Sequence, residues 1–299
     1  MNRFVILLLW CGLGSSAWAE LKVATLHPVL TDLAQHVGGE HVEVIGVLKP
    51  GSDPHDFSPS SGDIRKMSIA RLILASGKGI EPYLPKLPDS LSKHQEILEV
   101  GKTIPSLTIS EENGLFVCCP HHSEGSLDPH WWHSVKNMQR ATKIVSKAFA
   151  NADPANASAY KAQAKRYEKH LGTLAKWARK EVAKIPRNRR KLATAHAAYT
   201  YFCQDYGFQS MPVQGLTKER EPSSQYLADV ITDLKDNGIT AVFPEAQANP
   251  KVLKEMVRGT GAKIGGRLFA DYTGNEKTTT YEAMFRHNVT TIVNGLAKP

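Results

Sequence analysis

A short strand–helix unit occurs twice in this chain, and this repeat limits the possible folds more than any other feature. The first copy begins Ala24-Thr25-Leu26-His27 and the second begins Ala193-Thr194-Ala195-His196. The spacing to a following threonine, glutamine and glycine is the same in both copies, at Thr31, Gln35 and Gly38 and at Thr200, Gln204 and Gly207. Chance similarity between two strand–helix units could produce such a match, but its gap-free length favours two lobes built on one plan.

Short apolar runs alternate with helix-like periodicity along most of the chain. This alternation predicts an α/β fold with two Rossmann-like βα lobes, each with a parallel sheet covered by helices. Between the two copies, a long helical pattern from Ala155 to Lys184 carries an apolar stripe that can pack on both lobes. We predict an N-terminal lobe over residues 20–153, a rigid connecting helix over 154–186, and a C-terminal lobe over 187–299, with the binding site in the cleft between the lobes.

Residues 1–19 have the pattern of a secretion signal. Arg3 supplies the positive start, Phe4 to Leu9 the apolar centre, and Ala17-Trp18-Ala19 the small-residue cleavage pattern. A lipoprotein signal would need a small residue before Cys11, and Trp10 stands there. We therefore expect a cleavable signal peptide and release into the periplasm without a lipid anchor. No later run approaches the roughly 18 apolar residues of a membrane-spanning helix.

Charge and cysteine content exclude two classes of protein. The formal net charge is +8, but the positive residues are spread out, and the one concentrated run, Arg187 to Lys191, is typical of a solvated loop. No aromatic interleaving or recognition motif accompanies it, so nucleic-acid binding is not expected. Beyond the signal, Cys118, Cys119 and Cys203 remain. Three cysteines cannot build a disulfide framework, and at most one bridge forms.

Four side chains that can bind a metal are predicted near the carboxyl ends of strands or in loops that lead into helices: His55, His130, His196 and Asp271. Ligands of parallel α/β sheets bind at that edge, and two of the four residues belong to each predicted lobe. Three imidazoles and one carboxylate suit a tetrahedral divalent ion. A single histidine at a strand end is more often an ordinary hydrogen-bonded loop residue, so the prediction rests on the whole set.

The segments around these residues resemble the metal-binding proteins of zinc and manganese ABC importers. The similar segments are Pro54 to Pro59, Asp128 to Trp132 and Thr194 to Phe202, and further similarity follows in the same order over essentially the whole mature chain. The resemblance implies two lobes joined by a rigid helix that hold one ion between His55, His130, His196 and Asp271. It also implies an importer permease and its ATPase as partners. We expect a monomeric protein, and the sequence leaves open whether a metallochaperone loads the site.

The residue at position 196 bears on the choice of metal. Members of this family that take up manganese typically have a glutamate where this chain has His196. Imidazole suits zinc, while oxygen-rich sites suit manganese. The sequence therefore predicts a zinc-type member that delivers zinc to its importer, with the same fold carrying manganese or ferrous iron as the alternative.

A zinc hydrolase is the alternative from another functional class. Glu245 is the one carboxylate at a strand end that could serve as its general base. The chain contains no H-E-x-x-H and no other compact catalytic zinc motif, so we predict that it is not an enzyme.

Three features around the site leave alternatives open. The short loop that contains Cys118, Cys119, His121 and His122 could form a secondary zinc site, a disulfide, or neither. His27, the repeat partner of His196, and Glu245 could each approach the metal. The chain also departs from the family at His133-Ser134-Val135, where a proline is common, and at Tyr272-Thr273-Gly274 after Asp271.

Overall fold

The computed structural model describes residues 20–49, 51–108, 127–214, 223–245, 250–274 and 279–297. The predicted signal peptide over 1–19 and the loop with Cys118, Cys119, His121 and His122 lie outside these residues. The strands are β1 Leu21–Thr25, β2 Val42–Gly46, β3 Leu72–Ala75, β4 Glu96–Glu99, β5 Lys191–His196, β6 Gln209–Gln214, β7 Ala241–Phe243 and β8 Lys263–Ile264.

These strands form two parallel sheets with the same topology. The first sheet has the order β2-β1-β3-β4 and the second has the order β6-β5-β7-β8. The chain therefore winds both sheets in the same way, which confirms the prediction of two α/β lobes on one plan. In each sheet the direction of winding reverses next to the first strand, which opens a crevice at the carboxyl ends of β1 and β5.

Eight α-helices cover the sheets in the described residues: α1 Pro28–Gly38, α2 Ser61–Ser68, α3 Val135–Ala152, α4 Ala157–Val182, α5 Thr200–Tyr206, α6 Ser224–Asp236, α7 Pro250–Thr260 and α8 Tyr281–Leu296. Helix α4 has 26 residues, about 39 Å at 1.5 Å per residue. Its buried stripe includes Tyr160, Leu171 and Leu174. It packs on α1, α3 and α8. None of the helices in the described ranges is both long and apolar enough to cross a membrane.

Residues alternate between two faces along the central strands, as β-strand geometry requires. On β1 and β3, Val23, Leu72 and Leu74 face the main core, while Ala24 and Ile73 face a smaller outer cluster. The main core is continuous between the lobes. It contains residues from both sheets and from α1, α3, α4 and α8, so the two lobes share one interior.

The sequence pattern predicts a strand from Lys263 to Leu268, but strand β8 ends at Ile264. Gly265 follows, and a Cβ there would lie 2.5 Å from the ring of Phe243. The backbone therefore comes too close to the neighbouring strand for a side chain to fit. The chain then runs to Leu268, which bridges to Glu245, and continues towards Asp271.

Candidate metal centre

The structure brings together the four residues that the sequence singles out. His55, His130, His196 and Asp271 are all buried, and each offers one nitrogen or oxygen, all within 4.8 Å of one another. The Nε2 atom of His130 lies 3.2 Å from Nε2 of His55 and 3.3 Å from Nε2 of His196. The Asp271 carboxylate lies 3.3 Å from His130 Nε2, and 3.6 Å from the Nε2 atoms of both His55 and His196. Three ring nitrogens thus converge on one carboxylate.

Each of the four side chains arrives from a different segment. His55 lies in the loop between β2 and α2, and His130 immediately precedes a short 3₁₀ turn, Trp131–His133. His196 is the last residue of β5, and Asp271 lies in the segment after β8. Two residues come from each half of the chain, so the cluster lies where the carboxyl ends of the two sheets face each other.

Two further carboxylates fix the orientation of two of the rings. The Nδ1 atom of His130 lies 2.8 Å from Oδ1 of Asp128, and Nδ1 of His196 lies 2.6 Å from Oε2 of Glu245. A carboxylate acceptor selects the tautomer with the proton on Nδ1 and leaves the Nε2 lone pair facing the cluster. Buried carboxylate–histidine pairs of this kind orient the rings of metal-binding histidines.

The motif Asp-Pro-His occurs twice in the site, and its geometry differs between the copies. In both, the aspartate accepts a hydrogen bond from the backbone N–H of the histidine two residues later, at 3.0 Å for Asp53 and His55 and at 2.9 Å for Asp128 and His130. This is a local turn that short acidic side chains favour. Only Asp128 also binds the ring of its histidine, so the motif orients His130 more completely than His55.

The electrostatics of the pocket favour a cation. Burial alone lowers the pKa of His130, but hydrogen bonds to the carboxylates of Asp128 and Asp271 outweigh it and raise the pKa to about 9. The carboxylates of Asp128, Asp271 and Glu245 are all buried at this place. Because buried charges require compensation, three carboxylates around three histidines make a site that attracts protons or a metal ion.

The structure gives His27 and Glu245 other roles than contact with an ion. His27 begins α1, and its Nδ1 accepts a hydrogen bond from the backbone of Val29 at 3.2 Å. Burial lowers the pKa of His27 to about 3, so the ring is neutral, and it packs on Trp132 at 4.4 Å between ring centroids. Glu245 uses one carboxylate oxygen on the ring and the other on the backbone N–H of His196.

The orienting roles of Asp128 and Glu245 are the part of the site that sequence reasoning missed. The signal for Asp128 was present in the Asp-Pro-His motif, since an aspartate two residues before a histidine can reach its backbone and ring. Glu245 gave no comparable signal, because it lies 49 residues from His196 in the chain. Only the pairing of β5 with β7 brings the two strand ends together.

Comparisons with known proteins agree with this fold. Residues 23–295 match the sequence model of the ZnuA family, zinc-uptake complex component A, periplasmic. The chain is 34% identical over 290 residues to the manganese-binding lipoprotein MntA of Bacillus subtilis, a match that covers 95% of this chain and 92% of MntA. It is 29% identical to the iron-binding protein YfeA of Yersinia pestis, with coverage of 93% and 87%. The solved structure of the periplasmic zinc binding protein TroA from Treponema pallidum superposes with a TM-score of 0.83 at 27% identity, covering 93% of this chain and 100% of TroA.

The family match covers almost the whole described chain, and the similarity to TroA extends to both lobes and the long helix. The relatives are named for different metals: manganese, iron and zinc. The similarity therefore identifies the class of protein but not the ion that it binds. This chain belongs to the ZnuA family, and it is an extracytoplasmic metal-binding protein that serves an ABC importer with its permease and ATPase, and not an enzyme.

Proposed function

We propose that this protein binds zinc through His55, His130, His196 and Asp271 and delivers it to its ABC importer. One observation carries the proposal: three imidazole nitrogens and one carboxylate oxygen converge in a buried pocket. Ligand atoms held 2.0–2.1 Å from a tetrahedral zinc ion lie about 3.3 Å from one another. The separations from His130 to the other two rings, 3.2 and 3.3 Å, and those from the Asp271 carboxylate to the three rings, 3.3–3.6 Å, are close to that value. All four donor atoms lie within 4.8 Å of one another.

The number of protein ligands supports transport rather than catalysis. A catalytic zinc keeps a position open for water or substrate, whereas a fourth protein ligand closes the coordination sphere. Asp271 would take that fourth position. Glu245, the residue that could have served as a general base, is already bound to His196.

Manganese is the second candidate, because MntA of B. subtilis is 34% identical and is named for that ion. The donor set of this chain argues against it. Manganese prefers oxygen ligands, and this cluster offers three nitrogens for one carboxylate. The general affinity order of divalent metals also favours zinc over manganese and iron.

Metal analysis of the protein isolated from its own cells, together with competition titrations of metal-free protein, tests the proposal. We expect one zinc per chain and an affinity for zinc well above that for manganese or ferrous iron. His55→Ala and His130→Ala should each weaken zinc binding by roughly 100-fold or more, beyond the effect of losing an orienting partner. His94→Ala, which removes an exposed histidine, is the matched control and should bind zinc as the parent protein does.

Two outcomes would overturn the proposal. Preferential binding of manganese or iron would assign the protein to that ion, and full zinc affinity in both ligand variants would move the site elsewhere.

We also propose that the protein acts as a monomer released from its signal peptide, with or without loading by a metallochaperone. The support is the cleavage pattern that ends at Ala19 and the bulky Trp10 before Cys11, although MntA is named a lipoprotein. N-terminal sequencing and intact mass should give a mature chain that begins at Glu20 and carries no lipid. Light scattering should give the monomer mass.

A further inference from the structure

One backbone carbonyl beside the metal centre accepts two buried hydrogen bonds from the opposite lobe. The oxygen of Ala270 lies 2.9 Å from the indole nitrogen of Trp132 and 3.0 Å from Nε2 of His133. Ala270 immediately precedes Asp271, and the two donors follow His130 by two and three residues. The segment that contains His130 is thus hydrogen-bonded to the segment that contains Asp271. The partners are 138 and 137 residues apart in the sequence.

The donors themselves are held in place. Trp132 and His133 belong to the 3₁₀ turn and are 0% and 1% exposed. The ring of His133 packs at 4.5 Å on Tyr199, which comes from the second lobe. The backbone carbonyl of Trp132 accepts a hydrogen bond from the Tyr281 hydroxyl at 2.9 Å, and Tyr281 begins α8. Both donors are therefore held by contacts other than the one to Ala270.

His133 is chemically suited to this contact. A carbonyl oxygen only accepts, so Nε2 of His133 must carry the proton. Burial lowers the pKa of His133 to about 3, so the ring stays neutral near the cluster. A charged donor such as lysine would repel a bound cation, whereas a neutral imidazole orients the carbonyl without adding charge.

We propose that His133 is a positioning residue for the metal centre, which acts with Trp132 through the Ala270 carbonyl to fix Asp271 relative to His130. The inference rests on the proposed function for the ligand roles of Asp271 and His130. Asp271 and His130 come from different halves of the chain, and Nε2 of His130 lies 3.3 Å from Oδ1 of Asp271. The contact to Ala270 thus preorganises this pair before an ion binds. An ion that enters the site finds these two ligands already at binding distance from each other, and Asp271 stays in place when the ion leaves.

The test compares two substitutions of His133. His133→Phe keeps a ring against Tyr199 but removes the donor, and we expect it to weaken binding by about 10–100-fold, the usual effect of losing an orienting partner. His133→Gln returns an N–H at similar reach and should restore most of the lost affinity. Val145→Ala, a core truncation in α3 away from the site, controls for a general loss of stability and should leave metal affinity unchanged.

A double-mutant cycle with Asp271→Ala separates positioning from a structural role. If His133 acts through Asp271, adding His133→Phe to Asp271→Ala should cause little further loss of affinity. The d–d absorption of cobalt-loaded His133→Phe should also weaken, because a loosened carboxylate admits water and raises the coordination number. Purely additive losses, or failure of His133→Gln to recover affinity when His133→Phe loses it, would overturn the proposal.

Parent affinity in His133→Phe would overturn it as well. The cycle is run with whichever ion the parent protein prefers. A preference for manganese therefore counts against the proposed function alone, and the role of His133 is decided separately.

Discussion

At the scale of residues, the site pairs each of two buried histidines with a carboxylate. Nδ1 of His130 is hydrogen-bonded to Asp128 and Nδ1 of His196 to Glu245, so that Nε2 of each ring faces the centre of the cluster. His55 has a weaker hold, since its hydrogen bond to Asp53 is made by the backbone N–H and not by the ring. Its side chain also keeps 6% of its surface exposed, whereas those of His130, His196 and Asp271 keep none. His55 is therefore the most exposed of the four clustered side chains.

The orienting carboxylates should matter almost as much as the ligands. Asp128→Asn and Glu245→Gln keep the size of each side chain but weaken the acceptor, so each should lower zinc affinity by about 10–100-fold. Isothermal competition against a chelator measures this. Asp53→Asn serves as the matched control, because the hydrogen bond between Asp53 and His55 is made by the backbone N–H, and its effect should be smaller than that of Asp128→Asn. Equal effects would show that the turn matters and the ring contact does not.

The residue at position 196 should determine which metal the site prefers. His196→Glu alone would place its carboxylate against Glu245, so the informative variant is His196→Glu combined with Glu245→Gln, which supplies an amide donor instead. Because an oxygen replaces a nitrogen, the ratio of zinc to manganese affinity should fall by roughly tenfold or more. Parallel titrations with both ions measure the ratio. An unchanged ratio in a folded variant would refute the link between position 196 and selectivity.

His27 should make the metal-free protein sensitive to acid. An unfolded histidine has a pKa of about 6.5, and burial lowers that of His27 to about 3. Between these values the unfolded chain binds more protons, so this contribution to stability is full above pH 6.5 and is lost as the pH falls towards 3. In His27→Asn, which keeps a capping acceptor for α1, urea unfolding should show a slope against pH lower by up to about 1.4 kcal/mol per unit. An identical slope in both proteins would refute this.

At the scale of elements, sequence patterns describe some strands better than others. The repeated motif predicted β1 and β5, because in both copies a short apolar run is followed by a recognisable helix start. Strand β6 was not predicted, since it contains Pro212, which a strand at the edge of a sheet tolerates. The length of strand β8 was overestimated, because the backbone at Gly265, directly after it, comes too close to Phe243 for a side chain to fit.

The reach of local sequence patterns also explains which parts of the site could be predicted. His55 and His130 stand in Asp-Pro-His motifs, and His196 ends a recognisable strand, so local patterns found them. The contacts that complete the centre join residues far apart in the chain, such as His133 to the carbonyl of Ala270. No pattern within one segment encodes such a contact, which exists only after the lobes pack.

The segment with Cys118, Cys119, His121 and His122 should be dispensable for the main site. Replacing residues 118–122 with a Gly/Ser segment of equal length keeps the loop closed and removes none of the four clustered side chains. Tight zinc binding should stay within about threefold of the parent protein, well below the effect of losing an orienting partner. A second, weaker zinc equivalent should disappear if the loop binds one. Loss of the tight site would mean that the loop supplies a ligand.

At the scale of the whole molecule, three helices limit how far the lobes can separate. Asp32 on α1 accepts hydrogen bonds from the backbone N–H of Tyr281 at the start of α8 and from the hydroxyl of Tyr167 on α4. These contacts are buried and join the first lobe, the long helix and the last helix. Helix α4 is continuous from Ala157 to Val182, and bending it sharply would break its backbone hydrogen bonds.

Metal release should therefore involve a local movement rather than a wide hinge. Hydrogen exchange should show that zinc protects the loop around His55 and leaves α4 unchanged, because loop backbone is held least by sheet or helix ladders. Solution scattering of zinc-loaded and metal-free protein should give the same radius of gyration within error. A domain-scale compaction on binding, or a large change of protection along α4, would show that the lobes hinge.

The interior that runs between the lobes has a consequence for the history of the chain. Two copies of one strand–helix plan point to an ancestor that doubled a single unit. Leu30 and Trp132 of the first half now share a core with Phe243 and Phe285 of the second, so each half, cut alone, would expose an apolar face to water. Neither half should therefore fold on its own, and a substitution in the shared core of one half has to be tolerated by the other.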